Sequence, residues 1–271
     1  MRYVFIALCL TALSLGLESA PAAPPGPPSS QAIPVDQANA EKAKAVLNQA
    51  IKALGGDAYL NWRDVTQEGR GYSFHHGEAN SAGILFWRLR KFPDKERVEL
   101  TKKRDVIEIY NGDKGYEITY KGIRNMDHKD ELDPYLRRHR YSLDIVLRQW
   151  LNQPGVALFY EGQTVAAQKE TDQVTIMNAQ NEAVTLNFDI NSHLPVKKSF
   201  SWRDPADQQK NVEDEIFDDY RPIQGIMTPF NDTRLFNGEM AAQSFFTDAK
   251  YNQNLSDSLF DPQAANSSRK H

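Results

Sequence analysis

Residues 183–190 read AVTLNFDI, and their side chains alternate between apolar and polar with a period of two. One side of an extended chain would carry four apolar residues, Val184, Leu186, Phe188 and Ile190. The polar residues between them would fall on the other side. This alternation is typical of an antiparallel strand with one buried and one hydrated face, so the stretch predicts a β-sheet protein.

Other segments along the chain repeat the alternation, among them residues 84–90, 97–100 and 116–121. Turn signals such as Asn-Gly-Asp at 111–113 separate them, which predicts about ten or eleven strands joined largely as a meander. A sheet of many strands that share one apolar face curls. We therefore predict a mainly β (α+β) protein, built on a large curved antiparallel sheet that forms an incomplete barrel with helices over its concave face.

Two segments carry apolar residues at helical spacing, residues 36–54 and residues 133–151. Asp36 is suited to cap the first helix, and Asp133 followed by proline is a start signal for the second. Both helices are expected to bury their apolar stripes against the concave face of the sheet. Part of that face is expected to stay open as an apolar cavity.

The amino-terminal residues follow the layout of a secretory signal peptide. Arg2 precedes an apolar run over residues 3–17, and Ala-Pro-Ala at 20–22 offers a cleavage site. The alternative is retention of this segment as a membrane anchor, but a span needs about 20 apolar residues. The predicted organisation is a signal peptide at 1–22, a proline-rich leader at 23–35, a folded domain at 36–262 and a polar tail at 263–271.

The charge and the cysteine content argue against a nucleic-acid-binding protein and against a disulfide-rich secreted one. The net charge is −4, with 32 basic and 36 acidic residues mixed along the chain, which argues against a nucleic-acid partner. Cys9 is the only cysteine and lies within the predicted signal peptide, so the mature chain would contain none. Secreted eukaryotic domains often carry disulfides, so their absence favours a bacterial envelope protein exported to the periplasm.

The predicted mature sequence contains none of the common hydrolase motifs, no phosphate-binding glycine loop and no cysteine nucleophile. His75 and His76 are adjacent on a predicted strand and point to opposite faces, which disfavours a shared metal ion. His139 lies on the apolar stripe of the second helix and is expected to be a core or rim histidine. The acidic run at 213–219 is expected to be solvated strand and loop rather than a calcium site. We therefore predict no enzyme activity, no catalytic residue, no metal and no cofactor.

Four stretches resemble a known group of proteins. They are ALGG at 53–56, GILFWRLRKFPDKERVEL at 83–100, NGDKGYEI at 111–118 and NSHLPVKKSFSW at 191–202. Their order along the chain is similar to that of the LolA-like periplasmic lipoprotein-carrier superfamily, over nearly all of residues 36–262. The resemblance implies an incomplete antiparallel barrel whose concave side is lidded by helices and takes up acyl chains. It also implies that FDDYRPIQGIMTPF at 217–230 is a late hairpin with Gly225 in its turn.

The resemblance and the absence of a catalytic constellation together predict a non-enzymatic periplasmic carrier or binding protein for lipids or lipidated proteins. Its partners would be lipid or acylated-protein cargo and envelope membrane proteins. The residues predicted to line the acyl-binding face are Leu85, Trp87, Leu89, Val98, Leu100, Tyr116, Ile118, Tyr120, Val184, Leu186 and Phe188. Arg90 or Lys91 corresponds to a basic residue that holds cargo in the founding carrier. Two alternatives remain open: an envelope scaffold or sensor that binds a protein without lipid, and an unrecognised hydrolase.

Overall fold

The structure is a computed structural model that describes residues 35–80 and 82–268. The predictions of a signal peptide and of most of the leader lie outside these residues. Within them, no helix is both long enough and apolar enough to cross a membrane.

Helices form a minor part of the described chain. They are α1 (Val35–Leu54), α2 (Asp57–Asn61), a π-helical turn (His128–Leu132), α3 (Asp133–Arg140), α4 (Leu143–Arg148), 3-10 turns at Trp150–Asn152 and Asp257–Phe260, and α5 (Pro262–Ser268). The strands are β1 (Asp64–His75), β2 (Glu78–Ala79), β3 (Ile84–Lys91), β4 (Lys95–Leu100), β5 (Val106–Asn111), β6 (Lys114–Thr119), β7 (Gly122–Asn125), β8 (Ala157–Ala166), β9 (Lys169–Met177), β10 (Ala183–Asp189), β11 (Pro195–Arg203), β12 (Lys210–Ile223), β13 (Ile226–Phe236) and β14 (Glu239–Tyr251).

The described strands form one large antiparallel sheet of 14 strands. Its order is β7-β6-β5-β4-β3-β1-β14-β13-β12-β11-β10-β9-β8, with the short β2 paired to β1. The two end strands, β7 and β8, do not pair with each other, so the sheet is not closed into a barrel. The predicted fold class is confirmed, and the strand count exceeds the expected ten or eleven.

One face of the sheet carries α1, α3 and α4, and we call it the inner face. Apolar residues of α1 and α4, such as Leu47 and Leu147, belong to one buried cluster with residues of the late strands such as Leu186. The first predicted helix agrees with α1 within one residue. Its carboxyl end lies against the β12–β13 hairpin, since a Cβ atom built on Gly55 would come within 2.4 Å of the Gly225 carbonyl oxygen.

The second predicted helix is broken into separate pieces. A π-helical turn precedes α3, and α3 ends before Ser142, which takes an extended conformation with φ −63° and ψ 149°. The Ser142 side chain accepts a hydrogen bond from the backbone N–H of Ile145 and so caps α4. The helical spacing continues through this break, so hydrophobic periodicity alone could not show it.

The hairpin predicted over residues 217–230 is present. Strand β12 ends at Ile223 and β13 begins at Ile226. Gln224 and Gly225 form the turn with φ of 50° and 83°. A two-residue turn with positive φ at both positions favours glycine and matches the twist of the flanking strands. Pro229 lies opposite Tyr220 within the hairpin.

The opposite, outer face carries the carboxyl-terminal segment, which we define as residues 257–268. Phe260 is fully buried there in a cluster with Ile107, Ile109 and Ile118. Arg97 of β4 donates from Nη1 to the Leu259 carbonyl oxygen at 2.9 Å. The folded part therefore continues past residue 262, since α5 packs on the sheet where a polar tail was expected.

Candidate functional site

A cavity of about 330 Å³ lies between helices α3 and α4 and the inner face of the sheet. Its wall is strongly charged, with seven basic and six acidic side chains. The basic ones are Arg88, Arg90, Lys91, Lys95, Arg138, Lys198 and Arg234, and the acidic ones are Glu96, Glu108, Asp144, Glu213, Glu215 and Asp232. This cavity can solvate polar groups of a ligand and is poorly suited to a bare acyl chain.

Strand alternation explains why charge collects here. Arg88 of β3 lies directly opposite Val98 of β4 and Gln67 of β1, and directly opposed residues of antiparallel strands share a face. Across the sheet, Glu215 of β12 lies opposite both Lys198 and Arg234 on its two neighbouring strands. The charged positions of six strands, β3, β4, β5, β11, β12 and β13, therefore converge under α3 and α4.

The thirteen predicted site residues divide between the two faces. Six lie on the inner face: Arg90, Val98, Leu100, Val184, Leu186 and Phe188. Five lie on the outer face: Leu85, Trp87, Leu89, Tyr116 and Ile118. Lys91 is at the cavity rim and donates to the Leu255 carbonyl oxygen at 3.1 Å, while Tyr120 is 84% exposed in the turn after β6. The prediction that all these residues line one concave face is therefore wrong. Leu89 pairs with Arg97 and not with Val98, so Leu89 and Val98 lie on opposite faces of the sheet.

The predicted apolar residues of β10 are not open to a ligand. Val184, Leu186 and Phe188 are at most 1% exposed, because α1 and α4 cover them. This half of the inner face is a filled core, and only the half under α3 and α4 encloses the charged cavity. The cavity is bordered by a stacked pair, Tyr110 and Tyr135, whose ring centres are 3.5 Å apart.

Lys198, Glu215 and Asp232 form a buried polar cluster at the cavity floor. Lys198 is 3% exposed and donates to Glu215. Burial and the neighbouring Glu215 carboxylate raise the pKa of Asp232 well above its usual range, because two adjacent carboxyl groups out of water cannot both ionise cheaply. Burial also acts to raise the pKa of Glu215. The positive charge of Lys198 and a hydrogen bond from Asp232 outweigh this effect and hold the pKa of Glu215 low. The pKa values of the two carboxyl groups are therefore driven apart, and that of Asp232 is the higher.

Arg90 and Asp144 line both the charged cavity and a smaller one. Arg90 Nη1 donates to Asp144 Oδ2 at 3.0 Å. The second cavity, of about 110 Å³, also shares Arg88, Ser142, Glu215 and Asp232 with the first. Its remaining lining is mostly apolar and includes Leu54, Ile226, Met227, Pro229 and Phe246. The smaller cavity is therefore the more apolar of the two, although it keeps a charged wall where the two adjoin.

Sequence reasoning missed most of the charged lining. The alternation in residues 84–90 gave Arg88 no role in a site, and Glu213 and Glu215 fall in the acidic run that was expected to be solvated. His139 does line the cavity, and burial lowers its pKa. The one signal in the sequence was the alternation itself, which separated Arg88 and Arg90 from their apolar neighbours.

Comparison with known proteins bears on the fold. No family model matches the sequence, and no curated protein matches it. A DUF1329 family protein from Desulfovibrio piger superposes with a TM-score of 0.58 at 13% identity, over 82% of this chain and 98% of that one. A domain described as an outer membrane lipoprotein-sorting protein from Vibrio parahaemolyticus gives 0.56 at 9% identity, over 83% and 99%. A LolA superfamily protein from Nitrosomonas europaea gives 0.52 at 12% identity, over 82% and 98%.

The chain has a LolA-like fold. The predicted resemblance is confirmed at this level, since nearly the full length of all three proteins is covered. At 9 to 13% identity the likeness concerns the arrangement of the sheet and helices. A fold does not determine a ligand, so the ligand of this chain depends on the side chains of its own cavity.

Proposed function

We propose that this protein is a non-enzymatic binding or carrier protein for lipids or lipidated proteins, exported to the periplasm of a bacterium. The observation that carries the proposal is the cavity under α3 and α4, on a sheet of the kind found in a lipoprotein-sorting protein domain. Cavities beneath a helical cover are common ligand sites. The cavity is strongly charged, and the smaller cavity beside it, which shares Arg90 and Asp144, has the more apolar lining.

This division suits an amphipathic ligand. Its polar group would lie among the charged side chains of the larger cavity. Its acyl chain would extend past Arg90 and Asp144 toward the part of the smaller cavity that is bordered by Ile226 and Phe246. At about 110 Å³ that compartment is small, so a long chain enters only if α4 moves away from the sheet. Each methylene transferred from water would contribute about 0.8 kcal/mol toward this displacement.

Mass spectrometry of the protein under native conditions, after purification without detergent, tests the proposal. Wild-type protein is expected to retain a fraction with an added lipid mass. Ser244 lines the charged cavity, and Ser244→Trp is expected to remove that fraction by filling the space. Ser201 is exposed on β11, so Ser201→Trp should leave lipid retention unchanged. Wild-type protein that carries no lipid and takes up none would contradict the proposal.

A protein-binding scaffold of the same fold is the second candidate. The filled core beneath α1, where Val184, Leu186 and Phe188 are covered, favours it, because that half of the inner face has no room for cargo. In this case, partner binding would be unaffected by Ser244→Trp. The same pair of variants therefore separates the two candidates.

A further inference from the structure

Two arginines in the charged cavity lack a protein partner among the described residues, unlike the other basic side chains of its wall. Arg138 projects from α3 and Arg234 from β13, and both line the cavity. Among the described residues, neither guanidinium has a hydrogen-bond acceptor or a carboxylate within salt-bridge distance. A guanidinium has five N–H donors, and leaving them unused in a half-buried site is costly.

The other basic groups of the cavity are already engaged. Arg88 donates twice to Gln67 Oε1, at 2.7 and 3.1 Å, and Lys198 donates to Glu215. Arg90 is held by Asp144. The lack of a protein partner is therefore specific to Arg138 and Arg234 and is not shared by these other basic side chains of the wall. They are two half-buried guanidiniums without a protein partner among the described residues, and both line the same cavity.

The two arginines also repel each other. Burial, and next the positive charge of Arg234, lower the pKa of Arg138. The Glu213 carboxyl group interacts electrostatically with both arginines and is 7% exposed. Burial raises the pKa of Glu213, so it compensates the two cations less well than an exposed carboxylate would. A bound anion would remove the repulsion and supply the missing acceptors.

We infer that Arg138 and Arg234 form an anion site that holds a phosphate group of the ligand. A phosphate oxygen pair matches the planar fork of each guanidinium, which favours phosphate over a single acceptor such as a carbonyl. This inference rests on the proposed function, because it names the chemical group that the charged cavity recognises. It makes the ligand an anionic phospholipid, or a small phosphorylated molecule of the same chemistry.

Equilibrium binding to four probes tests this inference. The probes are short-chain phosphatidic acid, diacylglycerol with the same chains, glycerol 3-phosphate and inorganic phosphate. Wild-type protein should bind phosphatidic acid at least about tenfold more tightly than diacylglycerol, since charge-assisted hydrogen bonds are gained. The double variant Arg138→Gln/Arg234→Gln should lose this preference while still binding lipid.

Arg140→Gln is the matched control. Arg140 is on the same helix but exposed and paired with Glu182, outside the charged cavity. It should keep the preference for phosphatidic acid. If the double variant fails to fold, the ratio of the wild-type affinities for phosphatidic acid and diacylglycerol still tests the anion site.

Three outcomes separate this inference from the proposed function. Equal binding of phosphatidic acid and diacylglycerol to the wild type overturns the anion site and leaves the lipid-binding function standing. Binding of glycerol 3-phosphate or phosphate but of neither lipid, lost in the double variant, supports the anion site and overturns lipid binding. No binding of any probe overturns both.

Discussion

Arg90 of β3 donates a hydrogen bond to Asp144 of α4 at 3.0 Å, joining the sheet to the helix that covers it. The two residues are 54 positions apart in the chain, so the contact exists only in the folded protein. The Nε atom of Arg90 is buried without a partner among the described residues. Asp144 is therefore the main compensation for a largely buried cation.

Replacing Asp144 by Ala should destabilise the fold by about 2 to 3 kcal/mol. This is below the value for a fully buried pair, because both side chains keep some exposure. Urea denaturation measures it. Asp218→Asn, at an exposed ion pair with Lys169, is the control and should change the free energy of unfolding by less than about 1 kcal/mol. An Asp144 variant as stable as the control would show that α4 is held by packing alone.

Leu147 of α4 is 1% exposed and packs in the main core beneath the helices. Leu147→Ala should cost about 2 to 5 kcal/mol, since the methyl groups leave a cavity that the sheet cannot fill. Val165 on β8 is largely exposed, and Val165→Ala provides the comparison. Equal melting temperatures for these two variants would mean that α4 does not seal this core.

The carboxyl-terminal segment should be an integral part of the fold. Phe260 is fully buried against β5 and β6, so Phe260→Ala should cost about 3 to 5 kcal/mol. Phe159→Ala, at a partly exposed position of β8, should cost clearly less. Amide hydrogen exchange of β5 and β6 should accelerate in the Phe260 variant only. Unchanged exchange there would indicate that the segment does not protect the outer face.

Stability should depend on pH through Asp232. The folded protein keeps a proton on Asp232 at pH values where the unfolded chain has released it, because burial and Glu215 raise its pKa. This contribution to the free energy of unfolding is fully present below about pH 4 and is lost as pH rises through the raised folded pKa. Asp232→Asn, whose amide still donates to Glu215, should remove that loss.

The measurement is the melting temperature of wild type and Asp232→Asn between pH 5 and pH 9, reported as the difference between them at each pH. The melting temperature of Asp232→Asn is expected to rise relative to that of the wild type as the pH increases. Asp218→Asn serves again as the exposed control and should show a constant difference. A constant difference for Asp232→Asn as well would mean that Asp232 is ionised in the folded protein.

The sheet and its late hairpin were predictable because they depend on local patterns. The alternation in residues 183–190 requires a strand with two unlike faces, and Gly225 between two extended stretches marks a tight turn. Helix α1 followed from the spacing of its apolar residues in the same way. These features are encoded by neighbouring residues and need no knowledge of distant contacts.

The site was not predictable, because it depends on which face of each strand meets the helices. In β3 both faces carry apolar residues: Phe86 packs inside, and Leu89 packs outside under the carboxyl-terminal segment. Residues 263–268 of that segment were predicted to belong to a polar tail, so nothing in the pattern indicated that the outer face is also covered. The pairing of Arg88 with Val98 then decided that the charged residues of β3, and not its leucines, line the cavity.

The central claim is that the polar part of a ligand binds in the inner cavity, and arginine side-chain NMR tests it most directly. Arg88, Arg138 and Arg234 line the cavity, whereas Arg97 is buried on the outer face and provides an internal reference. On titration with short-chain phosphatidic acid, the Nε–Hε signals of the three cavity arginines should shift and that of Arg97 should stay in place. Shifts at Arg97 with unchanged cavity signals, or no shift at all, would contradict the account.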